Sequence, residues 1–600
     1  MEVGSKYKTN GDCEFVVWAP FKKLALQLLS PREHIFQMEQ DEKGFWRATV
    51  ENIQHETCYR YILDSSLIRP DPASHFQPYG IHNASQTVNH LLFKWDDSNW
   101  KGIELSSMII YELHVGTFTV EGNFEAIIPR LEELRSIGIN SIELMPIAQF
   151  PGERNWGYDG VFPFAVQNSY GGPTGLKKLV NECHKKGLAV ILDVVYNHLG
   201  PEGNYLADFG PYFTTKYKTP WGNAINYDGP YSDIVRNYFI ENALHWFRNY
   251  HIDSLRLDAV HTIYDKSAKP FLKELAMCVR DFSKEQGRDF YLMVEIDLRN
   301  SGMTPPTKLI DCGIYVQWCD DLHHCLHAIL TGEHNGFYAD FDSMQKLVQC
   351  LKNGYLNLNR KVQLIDEDFN DMQFVVYCQN HDQIGNRIYG ERLSSLISFE
   401  ALKLTASIVI LSPFIPLLFM GEEFAADSPF LYFASYSDHY LIKAVKKGRH
   451  AEFKKIGLIG TPPDPFEIET FISSKLKWES RTSGDHKIML KFYNHLLQLR
   501  TELPSLSNLD RSRMDIDILD NTNIIVMRRW SDEHSVFVMF NFNNTDITFK
   551  LYAPLGRWQK ILDSADKLFG GPGTLLNSSF VTGDLITLRS NSVSVLNKVE

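Results

Sequence analysis

Between Phe15 and Leu92 the apolar residues fall in short alternating runs, CEFVVWAP, LALQLL, FWRATV and CYRYIL, separated by polar turns and closed by the proline-rich RPDPASHFQPYG. A period of two places every second side chain on one face of an extended chain, so this stretch predicts antiparallel strands of a β-sandwich. From Met108 the rhythm changes. The apolar runs MIIYELHV, SIELMPI, LAVILDVV, SLRLDAV, FYLMVEI, GIYVQW, FVVYCQN and PLLFMGE alternate with helix-length amphipathic segments such as 124–137, 174–186, 232–250 and 399–411. Units of that kind build a parallel sheet covered on its outer face, and eight strands are what a closed barrel needs. Beyond about Arg500 the alternation returns in NIIVMRRW, SVFVMFNF and ITFKLY, which predicts a second all-β domain. The expected fold is a multidomain α/β chain: a (β/α)8 TIM barrel with loop insertions over 96–500, flanked by β-sandwiches over 1–95 and 501–600.

Composition narrows the partners. Six hundred residues at 44% hydrophobic content exceed a single core, in keeping with two or three domains. A formal charge of -13 without an extended Lys/Arg run argues against nucleic acid or an anionic membrane as partner and leaves a neutral small molecule or glycan. Nine cysteines, an odd number with no paired short spacing, read as reduced thiols; Cys312, Cys319 and Cys325 are too far apart for a metal knuckle. No metal and no cofactor is expected. The opening MEVGSKYKTNGDCEF has no apolar stretch behind its charges, so a cytoplasmic location is expected, as a monomer or homodimer. The most apolar segment, Ile408 to Met420, contains Pro413 and Pro416 and falls short of the ~20 residues of a membrane span, so it reads as barrel interior.

Barrel enzymes carry reactive groups where strands end and the following loops begin. Here those ends are acidic. The third run closes in Asp193-Val194-Val195-Tyr196-Asn197-His198, the fourth in Arg256-Leu257-Asp258, the fifth in Glu295 and the seventh in Asn380-His381-Asp382. Any one of these is an ordinary capping or ion-paired residue. At matching strand ends they bring three carboxylates, Asp258, Glu295 and Asp382, and two imidazoles to one mouth.

DVVYNH, DSLRLDAVH, the glutamate of LMVEID, and QNHDQIGNR together closely resemble the sequence signatures of the α-amylase superfamily. The resemblance implies Asp258 as nucleophile, Glu295 as general acid/base and Asp382 as transition-state stabiliser. Retaining cleavage requires a proton donor for the leaving oxygen and a carboxylate ~5–5.5 Å away to capture the anomeric carbon. Arg256, two positions before Asp258, points the same way on a strand and should keep Asp258 ionised, whereas an apolar, carboxylate-rich setting should raise Glu295 toward ~6. The same resemblance gives His198, His381 and Asp382 contacts to the hydroxyls of the cleaved sugar, and Tyr158 an aromatic position beneath it, with Asp159 next in the chain. Trp221 and Trp318 are further stacking candidates, with core or loop packing as the alternative. His261 and Arg387, inside the second and fourth signatures, complete the sugar-binding set. Asp193 orients strand and loop in the superfamily, and Asn197 sits where some members bind calcium.

Longer segments are similar to one subgroup, the maltooligosyltrehalose trehalohydrolases: FVVWAP, HFQPYGIH, YELHVGTFT, PGERNWGYDGV, VVYNHLGPEGNYL, TPWGNAIN, DDLHHCLHAILTGE and PLLFMGEEF. The similarity covers roughly residues 10 to 480 and implies maltooligosyltrehalose and related α-glucans as substrates. Val294, where alanine is commoner in the superfamily, and Ile296 depart from the pattern but keep the surroundings of Glu295 apolar. The N-terminal sandwich resembles glucan-binding modules, with a purely structural buttress as the alternative. A branching or α-1,6-debranching enzyme, and a non-catalytic glucan-binding chain, remain as rival readings.

Overall fold

In a computed structural model, residues 2–30, 32–296, 306–356, 372–455, 457–458 and 460–599 are described. All eight apolar runs become strands of one closed parallel barrel: β1 (Ile110–Leu113), β2 (Ser141–Leu144), β3 (Ala189–Val194), β4 (Ser254–Leu257), β5 (Tyr291–Glu295), β6 (Val316–Trp318), β7 (Gln373–Val376) and β8 (Ile415–Phe419), with β8 returning to β1. Their register brings polar residues level with one another inside the barrel. Glu112 of β1 pairs with Glu143 of β2, and Asp193 of β3 pairs with Arg256 of β4.

Outer helices α1 (Gly172–Lys185), α2 (Ser232–Tyr250), α3 (Phe271–Gln286) and α4 (Phe399–Leu411) cover the strands. The helix expected over 124–137 is broken. Asn123 caps a first turn, Phe124–Ile127, and Pro129 then forces a tighter segment, Ile128–Arg130, before Leu131–Ser136 resumes. The missing proline N–H and its ring are incompatible with an uninterrupted α-helix. α4 is apolar nearly all round because it is enclosed: Lys403 within it donates from Nζ to the carbonyls of Ser564 (2.6 Å) and Phe569 (2.9 Å) in the C-terminal domain. Residues 408–420, at the end of α4 and through β8, are buried throughout, as their apolar run suggests.

Before the barrel, two sheets face each other. Gly4–Tyr7, Cys13–Trp18, Phe45–Val50 and Glu39–Gln40 form one, and His34–Gln37, Leu24–Leu28, Cys58–Leu63 and Leu67–Arg69, with Ser85–Gln86 beside Cys58–Leu63, form the other. Phe15, Trp18, Leu26, Tyr59 and Tyr61 fill the space between them. Trp18 meets Tyr212 of the barrel edge-on at 5.3 Å, and Arg69 pairs with Asp208 at 2.6 Å, so the sandwich is seated against a barrel loop. After the barrel, a six-stranded antiparallel sheet running from Met514 to Lys598 packs on a two-stranded antiparallel sheet of Ile547–Lys550 and Leu585–Leu588 around Trp558, Phe537 and Met539. The cysteines are free thiols. Among the described residues no helix is long and apolar enough to cross a membrane.

Candidate active site

The C-terminal ends of β3, β4 and β5 deliver Asp193, Asp258 and Glu295 to a single guanidinium. Arg256 Nη1 donates to Asp193 Oδ2 (2.7 Å) and Asp258 Oδ1 (2.9 Å), and Nη2 donates to Glu295 Oε2 (2.7 Å). Arg256 is itself fully buried, with Trp318 packed against its guanidinium at 4.6 Å. A buried cation needs compensating anions. Its neighbours titrate in opposite directions. Burial would raise Asp258, but Arg256, His198 and the Asn197 amide (Nδ2 to Oδ2, 2.7 Å) outweigh it and hold Asp258 below the usual carboxylate range. Burial pushes Glu295 up to about 8; Arg256 opposes that rise, and the negative charges of Asp258, Asp382 and Asp320 add to it. The shift is larger than the sequence suggested, chiefly because the carboxyl is so deeply buried, with Asp320 a further negative charge that reading did not include.

Glu295 Oε2 accepts from both Arg256 and the backbone N–H of Ala259 (3.0 Å), which leaves Oε1 as the oxygen suited to carry a proton. Ala259 makes that bond from a left-handed conformation, φ 39°, that non-glycine residues rarely adopt. Strained backbone of this kind clusters at functional sites.

A second chain of contacts begins at β1. Glu112 bonds the Nδ1 of His381 and accepts the His381 backbone N–H at 3.1 Å; His381 Nε2 lies 2.8 Å from the Tyr158 hydroxyl, which donates to Asp193 at 2.6 Å. Burial disfavours the imidazolium, but Glu112 and Asp382 overcome it and raise His381 to about 9. Asp193 rises to about 6, chiefly by burial. β7 ends earlier than expected, at Val376; Asn380 instead caps a short helix, His381–Gly385, in a reciprocal pair with Gln383. That cap fixes the start of the turn carrying His381 and Asp382, and Asn386 Nδ2 donates to Asp382 Oδ1 at 2.7 Å.

Asp382 and Glu295 face a cavity of about 360 Å³ that His261, Asp320, Tyr338 and Arg387 also line. Arg387 is engaged there by a two-point pair with Glu333, at 2.8 and 3.0 Å. On the other side, Trp221 projects from the tip of a hairpin (Phe213–Thr219 and Gly222–Ile225), 50% exposed and stacked on His198 with ring centroids 4.3 Å apart. His198 also contacts the Tyr158 carbonyl at 3.0 Å, and Asp159 accepts from Asn155 at 2.6 Å. Trp318 departs from expectation. At 2% exposure it presents no stacking face to a sugar and instead supports Arg256 from the barrel interior.

Sequence reasoning missed Glu112, Glu143, Asp320 and Glu333. The first two had a signal: each is a lone acid in the middle of an apolar strand, where only an inward, functional or ion-paired position is tolerable. Glu143 is buried without a hydrogen-bond partner among the described residues, and burial together with Glu112 and Asp193 drives it far above the carboxylate range.

Residues 92–220 match the family described as alpha amylase, catalytic domain, and residues 518–599 match the alpha amylase C-terminal all-beta domain. The malto-oligosyltrehalose trehalohydrolase of Saccharolobus solfataricus is 45% identical over 510 residues, covering 84% of this chain and 87% of that protein. The chain belongs to the malto-oligosyltrehalose trehalohydrolase family of the α-amylase superfamily. A second trehalohydrolase, from Mycobacterium tuberculosis, is 38% identical and covers 86% of this chain and 91% of its own. A 1,4-alpha-glucan branching enzyme of Bacillus cereus is more distant, at 26% identity over 610 residues. Among solved structures, a Salmonella typhimurium protein superposes over the whole of both chains with a TM-score of 0.84 and 32% identity. A pullulanase of Paenibacillus barengoltzii shares the fold, with a TM-score of 0.75 and 19% identity over all of this chain and 95% of its own.

Proposed function

We propose that the chain is a retaining glycoside hydrolase that cleaves the α-1,4 bond between a maltooligosaccharide and its terminal trehalose unit, releasing free trehalose. The observation that carries the chemistry is Arg256 bridging two carboxyl groups whose surroundings shift them in opposite directions, Asp258 downward and Glu295 upward. Sharing one guanidinium keeps Asp258 and Glu295 close, which favours the ~5–5.5 Å spacing of retaining enzymes over the ~6.5–9.5 Å of inverting ones. Ionised Asp258 attacks the anomeric carbon while Glu295 passes its proton to the glycosidic oxygen of the departing trehalose. Glu295, now a carboxylate, takes a proton from water, and the resulting hydroxide equivalent displaces Asp258 from the glycosyl ester. Asp382 and His381 lie beside Glu295 and Tyr158, where they can bond ring hydroxyls more tightly as the sugar flattens. The choice of trehalose as leaving group rests on the similarity to trehalohydrolases.

Incubation with maltooligosyltrehalose should release trehalose, while amylose of equal length should be cut far more slowly. A fall in iodine staining of amylose without new reducing ends would identify a transferase instead. Glu295→Gln should lower kcat by at least 10³-fold while leaving Kd for the oligosaccharide within about threefold, because the amide keeps the shape and loses the proton.

A further inference from the structure

Three histidines from three different segments meet at a cavity that shares no lining residue with the one faced by Glu295 and Asp382. His75 lies in the stretch leaving the N-terminal sandwich, His90 in a short 3-10 turn of the linker to the barrel, and His245 on α2. One ring nitrogen from each lies within 4.8 Å of the others, and the group lines a cavity of about 440 Å³ whose wall also includes Glu2, Arg248 and Asn249. We propose that His75, His90 and His245 form a binding site for a divalent transition metal of the zinc type, which pins the N-terminal sandwich and its linker to barrel helix α2.

Two observations support this site. First, His75 Nδ1 and His90 Nε2 face each other across a 3.2 Å hydrogen bond whose proton a metal would replace. Two nitrogens on one tetrahedral zinc, each ~2.0–2.1 Å from the metal, sit ~3.3–3.4 Å apart, so this pair needs almost no movement. Second, His245 is oriented as metal-binding histidines are: its Nε2–H donates to the Phe164 carbonyl at 3.2 Å, while Nδ1 accepts from the Asn249 amide at 3.0 Å, a bond that a metal would displace.

The surrounding charges pull in both directions. Lys177, whose Nζ contacts the His90 carbonyl at 3.3 Å, opposes a cation. Arg248 is paired with Glu2 at 3.1 Å. An all-imidazole set selects zinc, copper or nickel and excludes calcium and magnesium, which demand oxygen. The fourth position opens on the cavity and is available to water.

The test uses the full chain, stripped with chelator and titrated with Co²⁺ and Zn²⁺. The wild type should bind one equivalent with micromolar or tighter Kd, give the intense visible absorption of four-coordinate Co²⁺, and gain several degrees in Tm with Zn²⁺. His75→Gln, His90→Gln and His245→Gln should each weaken binding at least tenfold while leaving trehalose release unchanged. Absence of stoichiometric binding, a weak six-coordinate Co²⁺ spectrum, or affinity undiminished in the variants would overturn the site. The spectrum of the wild type decides the matter even if a variant fails to fold.

Discussion

Glu295 and Asp258 share one guanidinium, yet one is pushed up to about 8 and the other held low, and this difference should govern the response to pH. The proposed mechanism needs Glu295 protonated and Asp258 ionised. The rate should therefore fall as pH rises through the alkaline step near about 8, and fall on the acid side only below the ordinary carboxylate range. The two groups interact, so the measured steps belong to the pair. Asp320, held by Tyr377 and Gln383 at 2.6 and 2.7 Å, contributes negative charge to Glu295. Asp320→Asn removes that charge and should move the alkaline limb of kcat/KM to lower pH; an unmoved limb would show that Asp320 does not tune the acid. The same shift enters stability. Between the ordinary value of 4.5 and about 8 the folded protein retains a proton that the unfolded chain has released, so this group's stabilisation declines across that window as pH rises. Glu295→Gln should abolish the decline, and its Tm advantage over wild type should grow from pH 5 to pH 8. Asp258, Glu295 and Arg256 were legible because strand alternation and signature spacing place them together. Glu143 carried a signal as a lone acid in an apolar strand, but its effect, like that of Asp320 at a helix start, depends on which elements become neighbours.

At the scale of elements, the turn after β4 and the hairpin bearing Trp221 shape the site most directly. Ala259 adopts φ 39° to aim its N–H at Glu295. Ala259→Val puts a β-branched side chain in that conformation, which should cost about 1–3 kcal/mol on thermal unfolding and lower kcat as the Glu295 bond is lost. Trp221→Ala should remove a stacking surface worth about 0.5–1.5 kcal/mol, raising KM up to roughly tenfold with little change in Tm, since half of the ring is exposed. The barrel strands could be read because each is a continuous apolar run between amphipathic helices. The hairpin could not: its strand FTTKYKT is polar on both faces and partly exposed, so no periodicity marks it. Pro129 did mark the break in the 124–137 helix, and amphipathic spacing masked that mark.

The molecule as a whole is held together by buried cations on backbone carbonyls. Arg529 of the C-terminal sheet donates to the carbonyls of Leu411, Ser412 and Leu506, each at 3.1 Å, and Arg500 donates to Ile410 (2.8 Å) and Phe414 (2.6 Å). These contacts lie before β8 begins, at the end of the barrel opposite the carboxylates. Arg529→Met should leave buried carbonyls unpaired and cost about 2–5 kcal/mol, seen as a lower Tm, with kcat unchanged at temperatures where the variant is folded. Alternating apolar runs announced that all-β domains flank the barrel. The docking itself was hidden, because an arginine in a strand such as NIIVMRRW reads as solvent-facing until its partner surface is known.

The central claim is that Asp258 becomes covalently bonded to the sugar. The most direct measurement incubates Glu295→Gln with an α-glucosyl fluoride, whose leaving group departs without a proton donor, and then maps the protein by peptide mass spectrometry. The account predicts one added glycosyl unit, on the peptide containing Asp258. Absence of the adduct while fluoride is released, or its attachment to another residue, would contradict the account.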